Sequence, residues 1–256
     1  IVITIIQNLN QFYLINLVIS IMYNLTNVNG LLSLSQNELI DQAYIKQSVI
    51  YNIQQILLKQ NRGWLFEEIE GTSLIPDNLI SDAYTSDDYF KVPDELSLKP
   101  ETTAISYLRA KELLHHSLKA PLCVYQASKS FRKEQDQANK HMRLKEFKQL
   151  EFQCIYSKTT KNDYQMSVIN SIALFVKNLL KLNTRLVYSD RLPSYSEKTI
   201  DIEVFNNDKW MEICSISKRN DFDENHLVLE IAFGLDRLLY NFTKSNDQFS
   251  VEFLPE

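Results

Sequence analysis

Phe131-Arg132-Lys133-Glu134, the polar run Gln135 to His141, and then Arg143-Leu144-Lys145-Glu146-Phe147-Lys148-Gln149-Leu150-Glu151 form the stretch that decides the architecture. Ahead of it lies Pro121-Leu-Cys-Val-Tyr-Gln126, a short run rich in strand formers. Behind it, Phe147 to Tyr156 alternates in the way of a long strand. Two strands joined by a polar connection read as a hairpin, so the sheet is built from antiparallel neighbours.

Working outward, the same pattern returns near the C-terminus. Thr199 to Phe205 and Trp210 to Ile216 flank Asn206-Asn207-Asp208-Lys209, a second hairpin connection. Leu227 to Ala232 reads as a strand, and Gly234 to Tyr240 begins a helix. Between the hairpins, Tyr164 to Leu182 is strongly amphipathic. Upstream, Thr102 to Lys119 reads as helix, and residues 77–98, acidic and polar, read as loop. Further back, Ile40, Tyr44, Ile45, Val49, Ile53, Ile56 and Leu57 recur at helical spacing behind Ser33 and Ser35, and stop at Asn61-Arg62-Gly63. Trp64, Phe66 and Ile69 belong to a short strand ahead of Pro76. Strands in runs joined by hairpins, with helices between the runs, predict an α+β domain.

Length and composition agree. The 256 residues fit one large domain, taken as 33–256, behind an N-terminal segment, 1–32. Hydrophobic residues at 45% and charged residues at 23% exclude fibrous and disordered classes. Cys123, Cys154 and Cys214 are widely spaced and odd in number, which argues against a disulfide framework or a thiolate zinc site and for a reducing compartment. The net charge of −5 excludes a general polyanion binder, so nucleic-acid contact would rest on local patches. No Gly-rich phosphate loop is present. His115 and His116 are adjacent on a helix and point apart, which makes a poor metal pair. Ile1 to Leu25 is apolar but interrupted by Gln7, Asn8, Asn10, Gln11, Asn16 and Asn24, and no Lys or Arg occurs before Lys46. It therefore reads neither as a membrane span nor as a signal peptide, and Met22 is a candidate start.

The Phe131 to Glu134 and Arg143 to Glu151 arms, followed by Gly234-Leu-Asp-Arg237 directly after a strand, resemble motifs 2 and 3 of class II aminoacyl-tRNA synthetases. The helix from about Asn37 to Gln60, with the strand after it and Pro76, resembles a degenerate motif 1. Within the class the similarity is greatest to glycyl-tRNA synthetase. Lys99-Pro-Glu-Thr102 stands where that family has an Arg-Pro-Glu-Thr turn, and Asp201-Ile-Glu-Val-Phe with Trp210 to Arg219 follows its strand pair. The resemblance covers roughly residues 35–256. It implies a mostly antiparallel sheet flanked by helices and a homodimer formed through the motif 1 region. It also implies a catalytic core without the family's C-terminal anticodon-binding domain.

The resemblance also implies roles, and each suits the residue. A guanidinium stabilises charge building at the α-phosphate because it is always charged and binds phosphate bidentately. Arg132 is that candidate, with Arg237 reaching the γ-phosphate and covering one face of the adenine. Phe147 offers the other face, and Glu134 accepts from the adenine amino group. Arg143 adds charge around the phosphates, and Glu212 would hold Mg²⁺, an ion that prefers oxygen ligands. The glutamates that meet the substrate ammonium correspond to Glu101, Glu151 and Glu230, with Arg219 near the substrate carboxylate. The pocket floor departs from the family: Ser215 replaces a glycine, Ser217-Lys218-Arg219 replaces Ala-Asp-Arg, and Ile231-Ala232 replaces Pro-Ser. Lysines and arginines at 129, 132, 133, 140, 143, 145 and 148 surround the motif 2 loop, which in the class approaches the tRNA acceptor end.

Three functions follow from the resemblance. One is activation of a small amino acid, glycine first, with ATP and Mg²⁺ and its transfer to a tRNA 3′ end. Another is activation for a non-tRNA acceptor. The third is a non-catalytic dimeric accessory factor, of the kind associated with a mitochondrial DNA polymerase. The expected setting is the cytoplasm or an organellar matrix, with no membrane partner.

Overall fold

The computed structural model describes residues 26–28, 30–116, 118–133, 142–160, 164–189 and 196–246. The N-terminal segment to residue 25 and the motif 2 loop, including Glu134, Lys140 and His141, lie outside the described residues.

A short hairpin of β1 (Thr26–Val28) and β2 (Leu31–Ser33) leads into helix α1 (Gln36–Gln60). Ser35 starts that helix with a reciprocal cap: its hydroxyl accepts from the Glu38 amide, and Glu38 accepts from the Ser35 amide at 2.6 Å. Asn61 stops it, its amide donating to Leu57 O and its side chain accepting from the Gly63 amide. There follow β3 (Leu65–Glu68), β4 (Leu74–Pro76), a single 3₁₀ turn at Asp77–Leu79, β5 (Lys91–Val92) and β6 (Leu96–Leu98). Helix α2 (Thr103–His115) precedes the long hairpin β7 (Leu122–Phe131) and β8 (Glu146–Ser157). Helix α3 (Tyr164–Leu180), β9 (Thr184–Tyr188), β10 (Ser196–Asn206), β11 (Lys209–Arg219), β12 (His226–Gly234) and helix α4 (Leu235–Asn246) complete the described fold.

The main sheet has seven strands in the order β3-β7-β8-β12-β11-β10-β9. Every neighbouring pair is antiparallel except β3 with β7. The α+β expectation holds, and that one parallel pair refines it. The 77–98 reading holds for 80–90 and 93–95 but misses β5 and β6, which join β4, just upstream, in a three-stranded sheet, β4-β6-β5. Strands of two or three residues are too short for alternation to show. Strand β9, at the sheet edge, was also not expected, and α2 ends at His115, short of Lys119.

One sheet face is apolar. Ile45, Val49, Ile53 and Leu57 of α1, Val168, Ile172 and Val176 of α3, and Leu235, Leu238 and Leu239 of α4 pack there against Phe152, Ile200, Ile216 and Ile231. A smaller cluster seats α2 on β7, β8 and β12 through Tyr107, Ala110, Val124 and Val228. Cys123 and Cys154 face each other across β7 and β8, their sulfurs 3.4 Å apart, and all three cysteines are buried. Among the described residues no helix is long and apolar enough to cross a membrane.

Candidate active site

Strand alternation builds the site. Across the sheet, Glu151 pairs with Ala232, Ala232 with Ser215, and Ser215 with Asp201. Two residues along, Gln153 pairs with Glu230, Glu230 with Ser217, and Ser217 with Thr199. The row between them, Phe152, Ile231, Ile216 and Ile200, belongs to the core. Because successive side chains point to opposite faces, the polar rows share one face and the apolar row takes the other.

Above the polar face opens a cavity of about 610 Å³. It is lined by Glu101, Arg132, Arg143, Phe147, Glu151, Glu212, Ser215, Ser217, Glu230 and Arg237. Ten of the residues singled out from sequence thus converge on one space. Arg219 does not line it. It lies behind the wall, its fork on Asp221 (3.1 and 2.7 Å) and its Nη1 on Glu230 at 2.5 Å, with its guanidinium over the Tyr107 ring. Arg219 therefore holds Glu230 in place from the side, on the same sheet face.

The carboxylate end is densely bonded. Gln153 Nε2 donates to Glu151 (2.6 Å) and Glu230 (2.9 Å), and Gln149 Nε2 donates to the other oxygen of Glu151 (2.9 Å). The Thr103 hydroxyl lies 2.9 Å from Glu151 and 3.2 Å from Glu230. Burial, then the charges of Glu230 and Glu101, push the Glu151 carboxyl up to about 8. Burial also raises Glu101, against the opposing pull of Arg219. On the floor, Ser215 donates to Asp201 at 2.8 Å, and burial followed by Glu212 pushes that carboxyl up to about 6.

The guanidinium end sits where β7 and β8 run out. Arg132 donates from Nε to Pro100 O (3.0 Å) and from Nη2 to the Tyr84 hydroxyl (2.9 Å), with its cation 5.2 Å from the Phe147 ring centre. Arg237 stands in the first turn of α4, donating to Glu212 O at 3.0 Å, with the Glu212 carboxylate at 3.6 Å. The start of α4 is fixed by Asp236, which accepts from Gln42 Nε2 (2.9 Å) and from the Lys148 amide (2.7 Å). Of the basic residues around the motif 2 loop, Lys129 pairs with Glu146 and Lys148 reaches Gln42.

Sequence reasoning missed Tyr84, Thr103, Gln149, Gln153, Thr199 and Asp236. Gln149 and Gln153 share the alternating face of Glu151, and that period was a usable signal. Tyr84 stands in an acidic loop that gave none.

The raised carboxyls have a direction in pH. A carboxyl whose folded pKa lies above its unfolded value, about 4, favours folding fully at low pH and loses that contribution as pH rises through the folded value. Stability should therefore fall between pH 6 and 8, where Glu151 titrates. Lys99, lowered to about 8 by burial, acts only above that window. Urea midpoints at pH 6 and pH 8 check this: Glu151→Gln should flatten the difference, and a parent midpoint that rises with pH contradicts it.

Comparison with known proteins follows the same geometry. The chain matches the tRNA synthetase class II core domain (G, H, P, S and T) family over residues 84–234. It is 30% identical over 161 residues to a glycine–tRNA ligase of Macrococcus caseolyticus, covering 61% of this chain and 34% of that one. A glycine–tRNA ligase of Mycoplasmopsis synoviae is 32% identical over 150 residues, covering 56% and 32%. The chain thus spans about a third of the length of the curated relatives it matches. In fold it is similar to the pyrrolysyl-tRNA synthetase from Desulfitobacterium hafniense, with a TM-score of 0.54, 19% identity, and coverage of 76% of this chain and 68% of that one. The matched span runs from Tyr84 to Gly234 and takes in both polar rows and the long hairpin, so the chain belongs to the class II tRNA synthetase core family.

Proposed function

We propose that the protein activates a small amino acid, glycine first, with ATP to form an aminoacyl-adenylate and passes it to a tRNA 3′ end. The observation that carries this reading is the segregation of charge within one cavity. Arg132, Arg143 and Arg237 gather at the Phe147 end, and Glu151 and Glu230 stand further along the same strands. Four residues of strand separate Glu151 from Phe147, a reach of about 14 Å at ~3.4 Å per residue. That span suits an anion at one end and an ammonium at the other. An arriving ammonium would displace the proton that burial keeps on Glu151.

Mg²⁺ fits this donor set. Among the described residues no group of three carboxylate, histidine or cysteine ligands could cage a metal. Glu212 presents one half-exposed carboxylate to the cavity. Mg²⁺ is commonly held by one or two carboxylates plus substrate phosphates. When bound it would neutralise phosphate charge. Phe147 and Arg237 would hold the adenine between them, and Arg132 would fix the α-phosphate against the substrate carboxylate.

A homodimer through α1 belongs to the same proposal. Leu39, Ile40, Tyr44 and Tyr51 are exposed on that helix, Tyr51 by 63%. Such a surplus is commonly buried by a two-fold interface, and sedimentation at micromolar concentration checks it.

Amino-acid-dependent ATP–pyrophosphate exchange, across the amino acids and then with tRNA, tests the function. Glu151→Gln should raise the Michaelis constant for glycine far more than that for ATP. Activation of only large or acidic amino acids would remove the glycine pocket from the proposal.

A further inference from the structure

The segment between β4 and β5 closes over the cavity, with Asp82, Ala83 and Tyr84 lining it. Its backbone is pinned on both sides of Tyr84. The Tyr84 amide donates to Ser81 O at 3.0 Å, and the Thr85 amide and hydroxyl donate to Asp88 at 2.7 and 2.8 Å. Asp88 O accepts from the amide of Lys133, the residue after Arg132, at 2.8 Å. The Tyr84 ring is thus held in register with the end of β7.

The Tyr84 hydroxyl touches both halves of the site. It accepts from Arg132 Nη2 at 2.9 Å and donates to Glu101 Oε2 at 3.3 Å. Both roles suit a phenol, which has one proton and lone pairs to accept with, between a group that only donates and a carboxylate that only accepts. The ring also lies 5.5 Å from the Arg132 cation.

We propose that Tyr84 is a positioning residue that couples the phosphate end of the cavity to its amino-acid end. The inference rests on the activation reaction proposed above. Its sign follows from the polarity of the chain of bonds. A guanidinium donating to the phenol oxygen makes the phenol a stronger donor to Glu101, since linked hydrogen bonds polarise one another. An ATP phosphate that takes Arg132 away weakens the phenol–Glu101 bond and leaves Glu101 free for the substrate ammonium. By reciprocity, an ammonium on Glu101 makes Arg132 easier to recruit.

The test is calorimetric titration of α,β-methylene-ATP with and without saturating glycine, on the parent chain and on Tyr84→Phe. The parent should bind the nucleotide at least about fivefold more tightly with glycine present, the lower end of ordinary coupling between sites. Tyr84→Phe keeps the ring against Arg132 and should keep the parent's thermal midpoint, while the two nucleotide affinities become equal. A purely structural role would shift both affinities together and preserve their ratio. A preserved ratio in Tyr84→Phe, or a parent in which glycine weakens nucleotide binding, overturns the coupling alone. A parent that binds neither ligand overturns it together with the proposed function.

Discussion

Arg132→Ala is expected to lower amino-acid-dependent pyrophosphate exchange by about 10²–10³, the usual cost of removing one preorganised donor from a developing charge. The side chain is well placed for that role. Pro100 O and the Tyr84 hydroxyl fix two edges of the guanidinium, and the Phe147 ring backs it. A charge held before reaction need not reorganise during it. Arg237→Ala should act similarly, because that side chain is steered by Glu212 and by a helix start anchored through Asp236 to Gln42 and Lys148. Both arginines are only partly buried, so far-ultraviolet circular dichroism should stay at parent values. Exchange at the parent rate in both variants would refute the adenylate chemistry.

The largest effect on stability is expected at a residue outside the cavity lining. Arg219 is 2% exposed, and it neutralises Glu230 while clasping Asp221, which also receives the Tyr107 hydroxyl. Arg219→Ala leaves the Glu230 carboxylate in the sheet without its counter-charge, and breaking a buried pair in this way costs about 3–5 kcal/mol. Against a total of roughly 5–15 kcal/mol for an ordinary domain, that is a large share. Urea unfolding measures it directly. Lys46→Ala, which removes the partly exposed pair with Glu68, is the contrast, because water and salt screen such a pair. Similar losses in both variants would mean that Arg219 carries no special burden.

The sequence was legible where periodicity is long. β7, β8, β10, β11 and β12 each run for nine residues or more, enough for alternation to show both strand and face. Helix α1 was legible from its spacing of apolar residues and its stop at Asn61. The short strands β4, β5 and β6 were not, because two or three residues carry no period. Nor was the parallel partnership of β3 and β7, since pairing direction is set by the path of the chain between them. At the site, charged residues announced themselves through the family motifs. Of the neutral groups that orient them, Gln149 and Gln153 were marked only by sharing the period of Glu151, and Thr103 and Tyr84 not at all, because a lone hydroxyl carries no charge or period to single it out. Arg219 shows the opposite limit: its charge was legible, but its buried place beside Glu230 depends on Asp221 and Tyr107, which only the fold brings together.

The two polar rows and the apolar row between them make the pocket and the hydrophobic core alternate readings of the same strands. Away from the register shifts at Ser196–Lys198 and Ile202–Glu203, inserting or deleting one residue within β8, β10, β11 or β12 would turn the side chains beyond it through the sheet, sending glutamates into the oil and isoleucines into the pocket. Such a change could not merely retune the substrate. Across homologues, differences in length should therefore collect at Asn207-Asp208 and the other turns, and innovation in this pocket should proceed by substitution in place.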